Sequence, residues 1–147
     1  YHWRIGRSYL DNVDYSALAY SKDLAHLKLL LPAESVVLTD ATTSYYLSTV
    51  LNVFTRTSLP HHEVPGYTMT GDELGRLCAV LLVRGTPKHF ADILERHGVT
   101  HVLINVDNIN PNIGLLCKGI SPLETRNLVR TQGELIYSSK NFFLFQT

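Results

Sequence analysis

The chain has 147 residues, 45% of them hydrophobic and 18% charged, a balance that excludes a disordered chain and a small domain dependent on metal or disulfide staples. Thirteen basic and thirteen acidic side chains cancel, and no dense Lys/Arg run occurs, so no nucleic-acid partner is expected. The longest uncharged window, Ala41 to Thr55, is too short and too rich in Thr, Ser and Tyr to cross a bilayer.

Residues 1–14, "YHWRIGRSYLDNVD", show no clean period and read as an arm or linker remnant, and residues 15–147 as one α/β domain. The start at Tyr1, with no signal-peptide pattern behind it, suggests a piece of a larger protein. From Tyr15 to Leu31 the pattern is helical: Tyr20, Leu24, Leu27 and Leu31 fall on one face. Asp14 or Ser21 is the expected cap, and Pro32 the terminator, because proline disfavours helix in the residue before it.

"SVVLT" reads as a short buried strand, and a helix is expected from about Thr43 to Leu51 with Tyr46, Leu47, Val50 and Leu51 inward. Between them stands Asp40, followed by Thr42, Thr43 and Ser44. "NVFTRT" suggests a second short strand, and the loop after it carries His61 and His62. Thr70 or Asp72 then caps a helix through "ELGRLCAVLLV". Cys78 in that helix and Cys117 further on read as two free thiols, with no CxxC to suggest thiol redox or zinc chemistry.

"RGTPKHFADILERHG" is the most legible segment. Thr86 suits the N-cap and Pro87 the first helical position; Phe90, Ile93, Leu94 and His97 form an i, i+3, i+4, i+7 stripe; Gly98 suits the C′ position. "THVLINVD" follows as a strand that ends at Asn105 and Asp107. "SPLETRNLV" reads as a short helix, and "GELIYSSKNFFLFQT" as a hairpin turning between Ser138 and Asn141. This alternation predicts a three-layer Rossmann-like α/β domain whose sheet is mostly parallel, with the C-terminal hairpin antiparallel at its edge.

Open parallel sheets take ligands in the crevice beyond the carboxyl ends of their strands. Asp40, Thr42, Thr43, Ser44, Asn105 and Asp107 are expected at that rim, where they can hydrogen-bond a sugar hydroxyl or share a cation with water. The competing use is structural, since Asp and Thr at a strand-to-helix junction are what helix capping requires. The turn "TDATT" has no glycine to let a pyrophosphate approach the backbone, and neither GxGxxG nor GxxxxGK[ST] occurs, which disfavours dinucleotide and P-loop chemistry. His61 and His62 are adjacent, so in extended chain they point apart and share an ion poorly. His97 and His101 resemble an HxxxH pair, but a helix ending at Gly98 removes the one-face geometry of a zinc helix. No serine lies in a GxSxG elbow.

"LKLLLPAESVVLTDATTSYYLSTVLNVFTRTSLPHH" resembles the extracytoplasmic C-terminal domain of multi-pass GT-C-type membrane glycosyltransferases, the protein mannosyltransferase-like group. The resemblance is carried by Pro32, the strand Val36 to Leu38, Asp40, Thr43 to Tyr46, Val53 to Thr55 and His61-His62. "FADILERHGVTHVLIN" and the closing "GELIYSSKNFFLFQT" extend it over about Lys22 to Thr147. It implies an accessory domain on the outer face of the cell membrane, tethered by the membrane portion of its own parent chain. It further implies a polyprenyl-phosphate sugar as the parent's donor, a carbohydrate or glycan acceptor, catalytic acids outside this segment and no cofactor within it. The alternative is a free-standing Rossmann-like small-molecule binding or sensory module without catalysis.

Overall fold

The computed structural model describes residues 20–56, 87–106, 126, 127 and 129–147. The arm at 1–14, His61, His62, the helix expected around Cys78, the cap at Thr86, Asp107 and Cys117 all lie outside them.

Helix α1 (Ser21–Leu30) sets Leu24 and Leu27 into the core, and Leu31 follows them after the last turn. Its start differs from expectation. Ser21 is the first helical residue, and the capping position belongs to Tyr20, whose backbone is left-handed (φ 59°) and whose side chain makes no capping bond. The Leu31 amide closes the helix onto the Leu27 carbonyl, and Pro32 blocks continuation. The Ser35 hydroxyl then donates to the Pro32 carbonyl at 2.7 Å and turns the chain into the sheet.

Strand β1 (Val36–Leu38) leads through Thr39 and Asp40 into α2 (Ala41–Val50), which begins two residues earlier than its apolar stripe suggests. Strand β2 (Phe54–Thr55) lies parallel to β1, so β1, α2 and β2 form one crossover unit. Helix α3 (Pro87–Arg96) starts at its proline and ends before Gly98, whose φ of +59° is the left-handed turn a non-glycine residue resists. Strand β3 (His101–Asn105) is buried at every position, as expected of a strand covered on both faces. Residues 126, 127 and 129 are helical, and β4 (Glu134–Ser138) and β5 (Phe142–Gln146) form the terminal hairpin.

The strand order is β2-β1-β3-β5-β4. The expectation of a mostly parallel, three-layer Rossmann-like sheet is overturned: the sheet is mixed, with β1 parallel to β2 and β3, and β5 antiparallel to β3 and β4. The balance follows from strand length. Each parallel pairing holds two residue pairs in register, whereas β3 and β5 match over five, from His101↔Gln146 to Asn105↔Phe142. The hairpin is thus the partner of the central strand, and the parallel part of the sheet is short.

Side-chain alternation divides the core between the two faces of the sheet. Val102 and Ile104 pack with Phe90, Ile93 and Leu94 of α3, whereas Leu103 packs with Leu24 and Leu27 of α1 and Leu47 of α2. One departure matters. Leu135 opposes Phe145 and Tyr137 opposes Leu144, leaving Ile136 as an extra residue in β4. This β-bulge shifts the alternation, so Leu135 joins the α3 side while Ile136 and Tyr137 both join the α1 side.

Candidate functional site

Because β1 and β3 are parallel neighbours, their carboxyl ends open on the same edge of the sheet. Asp40 stands just beyond β1, and Asn105 ends β3. Asp40 has extended backbone (φ −64°, ψ 157°), as an N-cap requires, and its Oδ1 accepts the Thr43 amide at 2.9 Å. The bond satisfies one of the amides that a helix start leaves without an intrahelical acceptor, and it places negative charge at the positive end of the helix dipole. Such a cap contributes about 1 kcal/mol.

Thr43 has a second role. Its Oγ1 accepts from Asn105 Nδ2 at 3.0 Å, which ties the first turn of α2 to the end of β3 across 62 positions of sequence. Asp40, Thr43 and Asn105 therefore form one chain of hydrogen bonds linking β1, α2 and β3. All three are buried, Asp40 to 2% exposure, and Ser44 beside them is buried too. Thr42 lies in the same first turn of α2. Of the residues expected at the rim, Asp40, Thr43 and Asn105 come together through bonds that hold the fold.

The histidine pair His97 and His101 does not share a helix face, because α3 stops at Arg96 and His101 is already in β3. The His97 carbonyl accepts from Arg56 Nε at 3.1 Å, and His101 Nδ1 lies 2.9 Å from Thr100 Oγ1. Burial pushes the His101 imidazole below its ordinary pKa. Among the described residues, no group of three or more His, Cys, Asp or Glu side chains could hold a metal ion, and no helix is long and apolar enough to cross a membrane.

A second polar cluster had no signal in the sequence. The Tyr137 hydroxyl donates to Asp23 Oδ1 at 2.8 Å, joining β4 to α1 across 114 positions, and Asp23 is buried. The His26 ring stacks on Tyr137 with centroids 5.4 Å apart, and Tyr20 meets Phe142 edge to face at 5.1 Å. Burial, then the bond to Asp23, pushes the Tyr137 phenol up. Strict period-two alternation puts Tyr137 on the same face as Leu135, away from α1. Only the bulge at Ile136 brings it to Asp23.

No protein-family model matches this chain, and neither does any curated protein sequence.

Proposed function

We propose that this chain is a non-catalytic accessory domain of a multi-pass, polyprenyl-phosphate-sugar-dependent glycosyltransferase-like protein, carried on the outer face of the cell membrane. There it helps to bind a carbohydrate acceptor or to shape access to a membrane-embedded site. The reading rests on the segments that resemble the GT-C family, from the strand ending in Asp40 to the closing hairpin. Those segments supply β1, α2, β2, α3, β3, β4 and β5, all five strands of one sheet and two of the helices that cover it. The observation that carries the accessory role is the use made of Asp40. Its carboxylate is buried and caps α2, an employment at odds with an acid or base that must meet substrate.

The test is genetic first and biochemical second. The parent gene should encode several apolar spans of about 20 residues contiguous with this domain. In membranes containing the parent, disrupting the domain should raise the acceptor KM and leave kcat within about threefold. A gene without apolar spans refutes the reading, and so does a loss of kcat with acceptor KM unchanged.

A second reading, a small-molecule binding module, draws on the meeting of Asp40, Thr43 and Asn105 at the carboxyl edge of adjacent parallel strands. Calorimetric titration of the isolated chain with monosaccharides and divalent cations checks it. Saturable binding abolished by Asn105→Ala in a folded protein supports it; no heat with either ligand class removes it.

A further inference from the structure

At the amino edge of the sheet, one hydroxyl stands among three polar groups. The Val36 amide donates to Thr100 Oγ1 at 2.9 Å, and the same oxygen lies 3.2 Å from the Val36 carbonyl oxygen and 2.9 Å from Nδ1 of the buried His101. A hydroxyl has a single proton, so it donates to the carbonyl or to the imidazole and not to both. Distance separates the two. An O–H···O bond normally spans about 2.5–3.0 Å, and the 3.2 Å contact with the carbonyl is longer than that. That carbonyl is moreover already served by the Thr100 amide at 2.9 Å, whereas Nδ1 has Thr100 Oγ1 as its one hydrogen-bond partner among the described residues.

We propose that Thr100 and His101 form a proton-operated switch on the seam between β1 and β3. With the ring neutral, the Thr100 hydroxyl donates to Nδ1 and the imidazole keeps its own proton on Nε2. An added proton goes to Nδ1, which then donates back to Oγ1, and the hydroxyl turns about its Cβ–Oγ1 bond to donate to the Val36 carbonyl. The imidazolium thereby keeps a charge-assisted bond, and β1 gains a second donor at Val36. Period-two alternation sets His101 on the Leu103 face of β3, which α1 and α2 cover. On that side β1 and β5 carry no ionisable side chain and α2 only tyrosines, while α1 carries Lys22, Asp23, His26 and Lys28, and β4 carries Glu134 and Tyr137. Asp23 is bonded to Tyr137, and Lys22, His26, Lys28 and Glu134 are exposed. Burial is thus what opposes charge on His101, and the hydroxyl is what gives that charge an acceptor. The switch stands apart from the rim at Asp40, and its failure leaves the accessory-domain reading untouched.

The experiment is an NMR pH titration of the whole chain, isotopically labelled at nitrogen and carbon. At neutral pH the His101 ring should be the Nε2–H tautomer, with Nδ1 bare of hydrogen. As pH falls, the Val36 carbonyl carbon resonance should move with the same midpoint as the ring. In Thr100→Val the Val36 response should vanish, and the ring should bind its proton several-fold more weakly, because the imidazolium has lost its acceptor. An Nδ1–H tautomer at neutral pH overturns the proposal, since the hydroxyl then already donates to Val36 and has nowhere to turn. That measurement needs the wild-type chain alone, so it decides the question even if Thr100→Val fails to fold. A Val36 resonance that ignores the ring's midpoint, or one that still follows it in Thr100→Val, overturns the proposal equally.

Discussion

The two edges of the sheet use polar side chains differently. At the amino edge they bond to backbone: Thr100 Oγ1 accepts the Val36 amide at 2.9 Å, Thr147 Oγ1 donates to the Val99 carbonyl at 2.8 Å, and Arg56 Nε donates to the His97 carbonyl. At the carboxyl edge a buried carboxylate, a hydroxyl and an amide side chain link into a chain, Asp40 to Thr43 to Asn105. Backbone ties tolerate exposure, and Thr100 and Thr147 are both exposed. A buried carboxylate persists only with charge-stabilising partners, which here begin with a helix N-terminus. The amino edge closes a sheet, whereas the carboxyl edge fixes where α2 leaves it.

Four perturbations sharpen or break that contrast. The largest effect is expected at the amino edge. A Cβ built on Gly133 stands 2.5 Å from the Gln146 carbonyl oxygen, which is backbone in the neighbouring strand and cannot swing aside. Gly133→Ala should cost about 2–3 kcal/mol by overpacking, read as a lower urea midpoint with unchanged m. A midpoint within error of wild type means that the hairpin base is looser than this geometry. Next, on the α1 side, Tyr137→Phe should cost about 1–2 kcal/mol, since it deprives a buried carboxylate of a donor. The same change in an Asp23→Ala background, which removes the acceptor, should cost distinctly less, and equal costs would show that the Tyr137–Asp23 bond is not the coupling.

How much of this was legible beforehand depends on range. The apolar stripes Leu24–Leu27 of α1 and Phe90–Ile93–Leu94 of α3, the turn at Gly98 and the hairpin are local patterns found where periodicity puts them, whereas the start of α1 at Tyr20 is not where its cap signals put it. The balance of the sheet was not legible. Strand count suggests a mostly parallel sheet, but β1 and β2 are three and two residues long, and the long ladders belong to β3, β4 and β5. The juxtaposition of Asp40 with Asn105 follows from parallel β1 and β3, so that part of the site could be foreseen. Asp23 with Tyr137 could not, because a one-residue bulge decides the face and leaves no mark in local composition.

The third perturbation is smaller and confined to a pH window. Burial lowers the His101 pKa from 6.5, so the folded state resists protonation that the unfolded chain accepts. Its stabilising contribution is whole above the unfolded value and is lost as pH falls from there through the lowered folded value. The slope of stability against pH below about 6.5 should flatten in His101→Gln, measured by urea unfolding at several pH values. An unchanged slope assigns the acid sensitivity to other groups.

The most direct measurement of the central claim, that Asp40 serves first to start α2, compares urea unfolding of Asp40→Ala and Asp40→Asn. A cap requires a side-chain oxygen and tolerates loss of charge. Asp40→Ala should therefore lose about 1 kcal/mol while Asp40→Asn stays within about 0.5 kcal/mol of wild type. If Asp40→Ala is instead as stable as wild type or more so, the carboxylate is retained at a cost to the fold, as a ligand-binding residue would be, and the capping account is contradicted.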